Sequence, residues 1–216
     1  MTRVKICGLT SEVDLKAAIT AGADAIGIIC DVSVDTPREV SIERAAALAA
    51  ATPLFVTSVL VTMPAGPEEA IELAEEIEPD AIQIHSDIRV GDLAYLRAKL
   101  ETELLLAVDA DDATTAEAYD DVVDGLIVDT AGEDGGGGTG RTHDWDQTRM
   151  AAADLDSPLI LAGGLTPDNV GDAVRTVEPF AVDVASGVED SGGVKDVDAV
   201  RSFVDRAKNA HRPAEP

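Results

Sequence analysis

Aromatic side chains are nearly missing: three Phe, two Tyr and one Trp in 216 residues, or 3%. A core without rings must be assembled from Ala, Val, Ile and Leu, and at 45% hydrophobic the chain carries enough of them for a globular interior. Strands rich in such residues suit a parallel sheet covered by helices on its faces. Bases are scarce as well, 16 against 42 acids, for a net charge of −26. A surface of that sign repels phosphate backbones and anionic lipid, which excludes nucleic acid and membranes as main partners. The acids are spread along the chain rather than gathered in a tail, as expected of a protein adapted to high salt. At about 1 M salt the screening length is only about 3 Å, and their mutual repulsion is muted. With two cysteines there is no disulfide framework, which fits a reducing cytoplasm. No apolar run approaches the roughly 20 residues that span a bilayer. Lys5 and Glu12 interrupt the N-terminus too early for a signal peptide.

What the chain does have is alternation. Apolar runs near 3–7, 24–29, 54–61, 81–85, 104–108, 125–129, 158–162 and 180–184 read as strands. Amphipathic patterns near 11–21, 41–51, 67–77, 90–100, 113–120, 145–153, 167–176 and 196–209 read as helices. Ser11 and Ser41 stand at N-cap positions, Pro67 and Pro167 near first turns, and Gly22 and Pro79 at stops. Eight βα units of about 25 residues predict a single-domain (β/α)8 TIM barrel over 1–210, with 211–216 as a frayed tail. A doubly wound open sheet is the alternative. It would more often show one dominant glycine-rich turn after the first strand.

Strand parity then sorts the polar residues. Side chains alternate across a strand, so Lys5 and Cys7 share a face, as do Gln83 and His85, Ile127 and Asp129, and Ala181 and Asp183. Their polar members would be costly against an apolar helix layer and must point into the barrel. Cys7 and Asp129 both end apolar runs, where a parallel α/β protein places its chemistry. A thiol is a potential base and a carboxyl a potential acid. Each also has a bland reading, a small buried apolar residue and a turn carboxylate.

Several segments together resemble one family. Lys5-Ile6-Cys7-Gly8, Thr36-Pro37-Arg38-Glu39-Val40-Ser41 and Ile82-Gln83-Ile84-His85-Ser86 appear in that order, followed by the run from Gly137 to Trp145. Ala162-Gly163-Gly164-Leu165-Thr166-Pro167-Asp168-Asn169-Val170 and Asp183-Val184-Ala185-Ser186-Gly187-Val188-Glu189 complete the set. Over nearly its whole length the chain resembles the phosphoribosylanthranilate isomerases of tryptophan biosynthesis. The resemblance implies an Amadori rearrangement of a sugar-phosphate substrate, without metal or organic cofactor. It implies Cys7 as base and Asp129 as acid. Arg38 and His85 are expected at the substrate carboxylate, the guanidinium because its planar fork matches a carboxylate. Gly138, Gly140, Gly163, Gly164, Ser186 and Gly187 are expected to hold the phosphate through backbone N–H groups. Lys5 is expected to pair with Asp183 behind the site. Lys5, His85 or helix N-termini are expected to lower the Cys7 thiol, and burial to raise Asp129.

Ser86 and Ala185 depart from the family pattern, which has glycine and serine there. Asp31 and Asp35 put two acids beside Arg38. Cys30, on the strand next to Cys7, raises the question of an oxidative bridge. The related aminoaldose isomerase of histidine biosynthesis is a competing reading, but that family has an Asp where Cys7 stands. A non-catalytic sugar-phosphate-binding subunit is another, although binding alone needs neither Cys7 nor Asp129. Monomer and homodimer both remain open.

Overall fold

The computed structural model describes residues 1–86, 88–110, 116–130, 144–153 and 155–211. Among them the chain alternates β1 (Arg3–Ile6), α1 (Glu12–Ala21), β2 (Ala25–Ile29), α2 (Ile42–Ala51), β3 (Thr57–Thr62), α3 (Pro67–Ile77), β4 (Ala81–Ile84), α4 (Val90–Lys99) and β5 (Glu103–Asp109). It continues with β6 (Gly125–Asp129), α5 (Trp145–Ala152), β7 (Leu159–Leu161), α6 (Val170–Val177) and β8 (Ala181–Val184). A short hairpin, β9 (Glu189–Ser191) and β10 (Val194–Lys195), precedes α7 (Val197–Asn209). Strands β1 to β8 are parallel and close into a barrel in sequence order, with β1 beside β8. The open-sheet alternative is thereby excluded.

Alternation along each strand creates two interiors. Val4, Ile6, Ile26, Ile28, Leu60, Ile82, Leu104, Leu126, Leu161 and Val182 face outward and pack under the helices. Inside the barrel lie two smaller clusters, one with Cys7, Val59, Val61 and Ala81, the other with Ile127, Ile160, Ala162 and Ala181. Small residues suit this narrow space. A Cβ on Gly27 would come within 2.6 Å of the Cys7 sulfur, so the hollow beside the thiol exists because β2 carries glycine there. Cys30 belongs to the outer cluster and Cys7 to the inner one, which puts the two thiols on opposite faces of the sheet.

Local signals explain the element ends. Ser11 and Ser41 accept hydrogen bonds from the N–H groups of Asp14 and Arg44, the N-cap geometry expected of them. Gly22 ends α1 in the left-handed region at φ 92, and Pro67 opens α3. At the opposite mouth from the pocket described below, carboxylates tie neighbouring strands together. Asp24 accepts from Val4 N–H, Asp80 from Ser58 N–H and Asp124 from Leu104 N–H, each at 2.8 Å.

Three expectations need correction. Residues 54–56 are not strand: Val56 N–H closes a turn onto Pro53 C=O, Phe55 has φ 75, and Leu54 and Phe55 face solvent. The helix expected over 113–120 is absent from its described part, where 3-10 turns appear at 116–118 and Asp120–Val122. The Asp120 carboxylate instead accepts from the N–H groups of Asp156 and Ser157 and holds the β6–β7 connection. The helix expected from 167 starts later, with Pro167 just ahead of its first turn. Asn169 accepts from Thr166 N–H and donates to Gly164 C=O, so the helix begins only at Val170. Of the expected tail, residues 212–216 lie outside the described residues.

Candidate active site

A pocket opens at the C-terminal ends of the strands, where barrel enzymes carry their chemistry. Cys7 reaches it from the end of β1, His85 from β4, Asp129 from β6 and Asp183 from β8, while Arg38 comes from the β2–α2 loop. Gly163, Gly164, Ser186 and Gly187 line the same pocket after β7 and β8. Gly138 and Gly140 lie outside the described residues.

The floor is a polar layer between the two inner apolar clusters. Lys5 Nζ donates to Asp183 Oδ2 at 2.8 Å and to Gln83 Oε1 at 3.1 Å, with all three residues buried. The register places Lys5 directly opposite Asp183, which is why the pair forms. Burial works to lower the lysine, but the Asp183 carboxylate and Cys7 overcome it and hold Lys5 above its ordinary range. Gln83 had no assigned role in the sequence; its amide fills a second acceptor position on the cation.

Cys7 is 6% exposed. Burial pushes its thiol up and Asp183 adds to this, while Lys5 and Lys195 pull it down. The net direction is upward. Lys5 does favour the thiolate as expected, but desolvation in a ring-poor, closed barrel outweighs it. Asp129 behaves as expected. Burial first, and the charge of Asp183 second, raise its carboxyl to about 7, against a hydrogen bond from Thr130 N–H. Its Oδ1 is buried with no hydrogen-bond partner, as is Oδ1 of Asp183. A carboxyl near 7 with an unused oxygen can hold a proton at neutral pH and give it to a ligand atom. Burial, then Lys5, lower His85, so its imidazole is neutral at pH 7.

Arg38 is held by Glu189, whose carboxylate accepts from Nε at 2.9 Å and Nη2 at 2.8 Å. Glu189 also accepts from Lys195 Nζ at 2.8 Å. Burial works to raise Glu189, but the hydrogen bonds from Arg38 and Lys195 hold it below the ordinary carboxylate range. Sequence reasoning assigned no role to Glu189 or Lys195. Locally, Gly192-Gly193 marks only a turn before Lys195.

The glycine turns have steric reasons. Gly163 and Gly164 adopt φ 86 and 61. A Cβ on Gly163 would lie 2.3 Å from Thr130 Oγ1, and one on Gly187 would lie 1.9 Å from Leu165 C=O. Backbone there can approach a ligand more closely than any side-chain-bearing residue would permit. Among the described residues, no group of three His, Cys, Asp or Glu side chains is placed to hold a metal ion.

A closed eight-stranded parallel barrel with a thiol and a raised carboxyl at its C-terminal mouth defines a class: a (β/α)8-barrel enzyme with an acid–base site. Residues 4–206 match the family model for N-(5'-phosphoribosyl)anthranilate (PRA) isomerase, and the chain belongs to that family. It is 61% identical over 210 residues to the N-(5'-phosphoribosyl)anthranilate isomerase of Halobacterium salinarum, covering 96% of each chain. Identity to that of Haloferax volcanii is 58% over 210 residues, covering 97% of this chain and 95% of the relative. Its extreme acidity accords with such halophilic relatives. The fold superposes on the Thermotoga maritima enzyme with a TM-score of 0.84 at 33% identity, covering 97% of this chain and all of the other. A family structure in complex with reduced 1-(o-carboxyphenylamino)-1-deoxyribulose 5-phosphate matches with a TM-score of 0.82 at 30% identity, with the same coverage.

Proposed function

We propose that this chain converts N-(5-phosphoribosyl)anthranilate into 1-(2-carboxyphenylamino)-1-deoxyribulose 5-phosphate, a step of tryptophan biosynthesis, by general acid–base catalysis. The observation that carries this reading is that Cys7, after β1, and Asp129, at the end of β6, line one pocket. Asp129, protonated near neutral pH, gives its proton to the ribose ring oxygen as the C1–O bond breaks. The aniline nitrogen supplies the electron pair, and an open-chain iminium forms. The Cys7 thiolate then removes the proton from C2, and the C2–H electrons flow into the C1–C2 bond while nitrogen regains its pair. The resulting enol tautomerises to the ketone. Substrate and product are isomers, so no co-reactant is consumed.

Arg38 anchors the aryl carboxylate, and neutral His85 offers a hydrogen bond beside it. The N–H groups around Gly163-Gly164 and Ser186-Gly187 receive the phosphate, an arrangement common after the last two strands of such barrels. At Ala185, where the family pattern has serine, the backbone carbonyl accepts from Lys195 Nζ at 3.0 Å. Lys5 and Asp183 stabilise the charge pattern from below. The reading places the enzyme in the cytoplasm with a small-molecule partner. No described helix is long and apolar enough to cross a membrane. A Thermotoga maritima relative is described as dimeric, and sedimentation in high salt will decide between monomer and homodimer here.

The test is turnover of freshly generated phosphoribosylanthranilate, followed by loss of its fluorescence in high-salt buffer. Wild type turns over, Cys7→Ala and Asp129→Asn do not, and both variants still bind the reduced product analogue. Absence of wild-type turnover in folded protein overturns the assignment. Absence in wild type with retained binding favours the binding-subunit reading.

A further inference from the structure

Two buried charges at the mouth have no part in the reaction as written. The Lys195 side chain has no exposed surface and that of Glu189 only 5%. Both sit on the β9–β10 hairpin, which also grips the loop that carries Arg38. A Cβ on Gly193 (φ 77) would lie 2.4 Å from Pro37 C=O, and Thr10 Oγ1 donates to Gly193 C=O at 2.8 Å. On its other side the Arg38 stem crosses Gly8, where a Cβ would lie 2.8 Å from Cδ. Arg38 is therefore clamped between hairpin and β1 turn, within reach of the pocket it lines.

The donor arithmetic is specific. A guanidinium has five N–H donors in a fixed plane. Glu189 takes two of them along the Nε–Nη2 edge. Among the described residues, the Nη1–Nη2 edge keeps only a 3.5 Å contact to Thr36 Oγ1. That edge matches a second carboxylate in fork geometry. Glu189 alone would aim the guanidinium but cancel its charge. Lys195, bonded to the same carboxylate, restores a net +1 to the trio in a chain of net charge −26.

We propose that Glu189 and Lys195 are positioning residues for the aryl carboxylate of the substrate, the first by orienting Arg38 and the second by neutralising the first. This rests on the reading of Arg38 given above. The probes are reduced 1-(o-carboxyphenylamino)-1-deoxyribulose 5-phosphate and its phenylamino counterpart without the carboxylate, titrated calorimetrically in high-salt buffer. Wild type prefers the carboxylated ligand. Glu189→Gln and Lys195→Met each reduce that preference by about tenfold, the loss expected for one charge-assisted contact. Affinity for the carboxylate-free ligand stays within about twofold, which serves as the folding control. In turnover, KM rises in Glu189→Gln while kcat is largely kept. An unchanged preference, or an equal loss for both ligands, overturns the positioning role alone. A wild type that binds neither ligand overturns the substrate reading, and this inference with it.

Discussion

The two groups proposed as acid and base titrate in the inverted order, and in that reading the inversion has a measurable cost. In the proposed reaction Asp129 must carry a proton and Cys7 must lack one, yet the carboxyl sits at about 7 and the thiol above its ordinary 9.0. Between those values most molecules hold the ionised carboxyl with the neutral thiol. With the thiol anywhere above that ordinary value, the productive combination is at most on the order of 1% of the free enzyme, a cost of at least about 2.7 kcal/mol on the barrier to kcat/KM. The pH dependence of kcat/KM is a bell in which the lower limb, near 7, belongs to Asp129 although it is the acid. The upper limb, above 9, belongs to Cys7 although it is the base. Kinetics alone cannot assign the limbs, so the thiolate must be titrated directly. Its absorbance near 240 nm, taken as wild type minus Cys7→Ser, isolates one sulfur and removes the Cys30 background. The difference signal should rise only above pH 9. A thiolate already formed at or below pH 7 would refute the argument that desolvation outweighs Lys5 and Lys195.

Four further outcomes follow from the same geometry. Asp129→Asn lowers kcat by about 10²–10⁴-fold. Because the folded carboxyl is raised, wild type loses stability as pH climbs from about 4 to about 7, so above 7 the variant is the more stable by about 2–4 kcal/mol in urea unfolding. Lys5→Met strands the Asp183 carboxylate and costs about 3–5 kcal/mol, read in the same assay. Gly163→Ala, which drives a methyl group into Thr130, raises KM and inorganic phosphate Ki together by about tenfold or more; an unchanged phosphate Ki would remove that turn from the phosphate site. Asp80→Ala, at the opposite mouth, costs about 1–2 kcal/mol of stability and leaves kcat unaltered.

The barrel was legible because its signals are local. Strands buried on both faces read as unbroken runs, and capping serines and the stop at Gly22 mark helix ends within one residue. Parity puts Lys5 and Asp183 inside the barrel and the cost of a lone buried charge makes them a pair; the register seats them opposite each other. Cys7 and Asp129 were legible as strand-end groups, but their acid–base roles came from the resemblance. What stayed hidden depends on distant partners. Arg38 and Glu189 are 151 positions apart, and nothing near either announces the other. Lys195 looks like a surface base until the hairpin folds over it. The direction of the Cys7 shift was misjudged for a related reason: neighbouring cations can be read from a strand, but the depth of burial belongs to the closed barrel. The 3-10 turns found at 116–118 and Asp120–Val122, where a helix is expected, show tertiary demand overriding local pattern, with Asp120 engaged by a segment 36 positions away.

The carboxylates that staple the far mouth alter how the acidity should be understood. Any attempt to recast this enzyme for dilute buffer would begin by swapping acids for neutral residues, treating the 42 as interchangeable. They are not. Asp24, Asp80 and Asp124 each terminate a strand's hydrogen-bond ladder, and Asp120 closes a loop, so these four are architecture that happens to be charged. A redesign that spares them, together with Glu189, Asp183 and the buried Asp14, can shed charge from the solvent-facing sides of the helices. One that counts only charge would dismantle the barrel from its base.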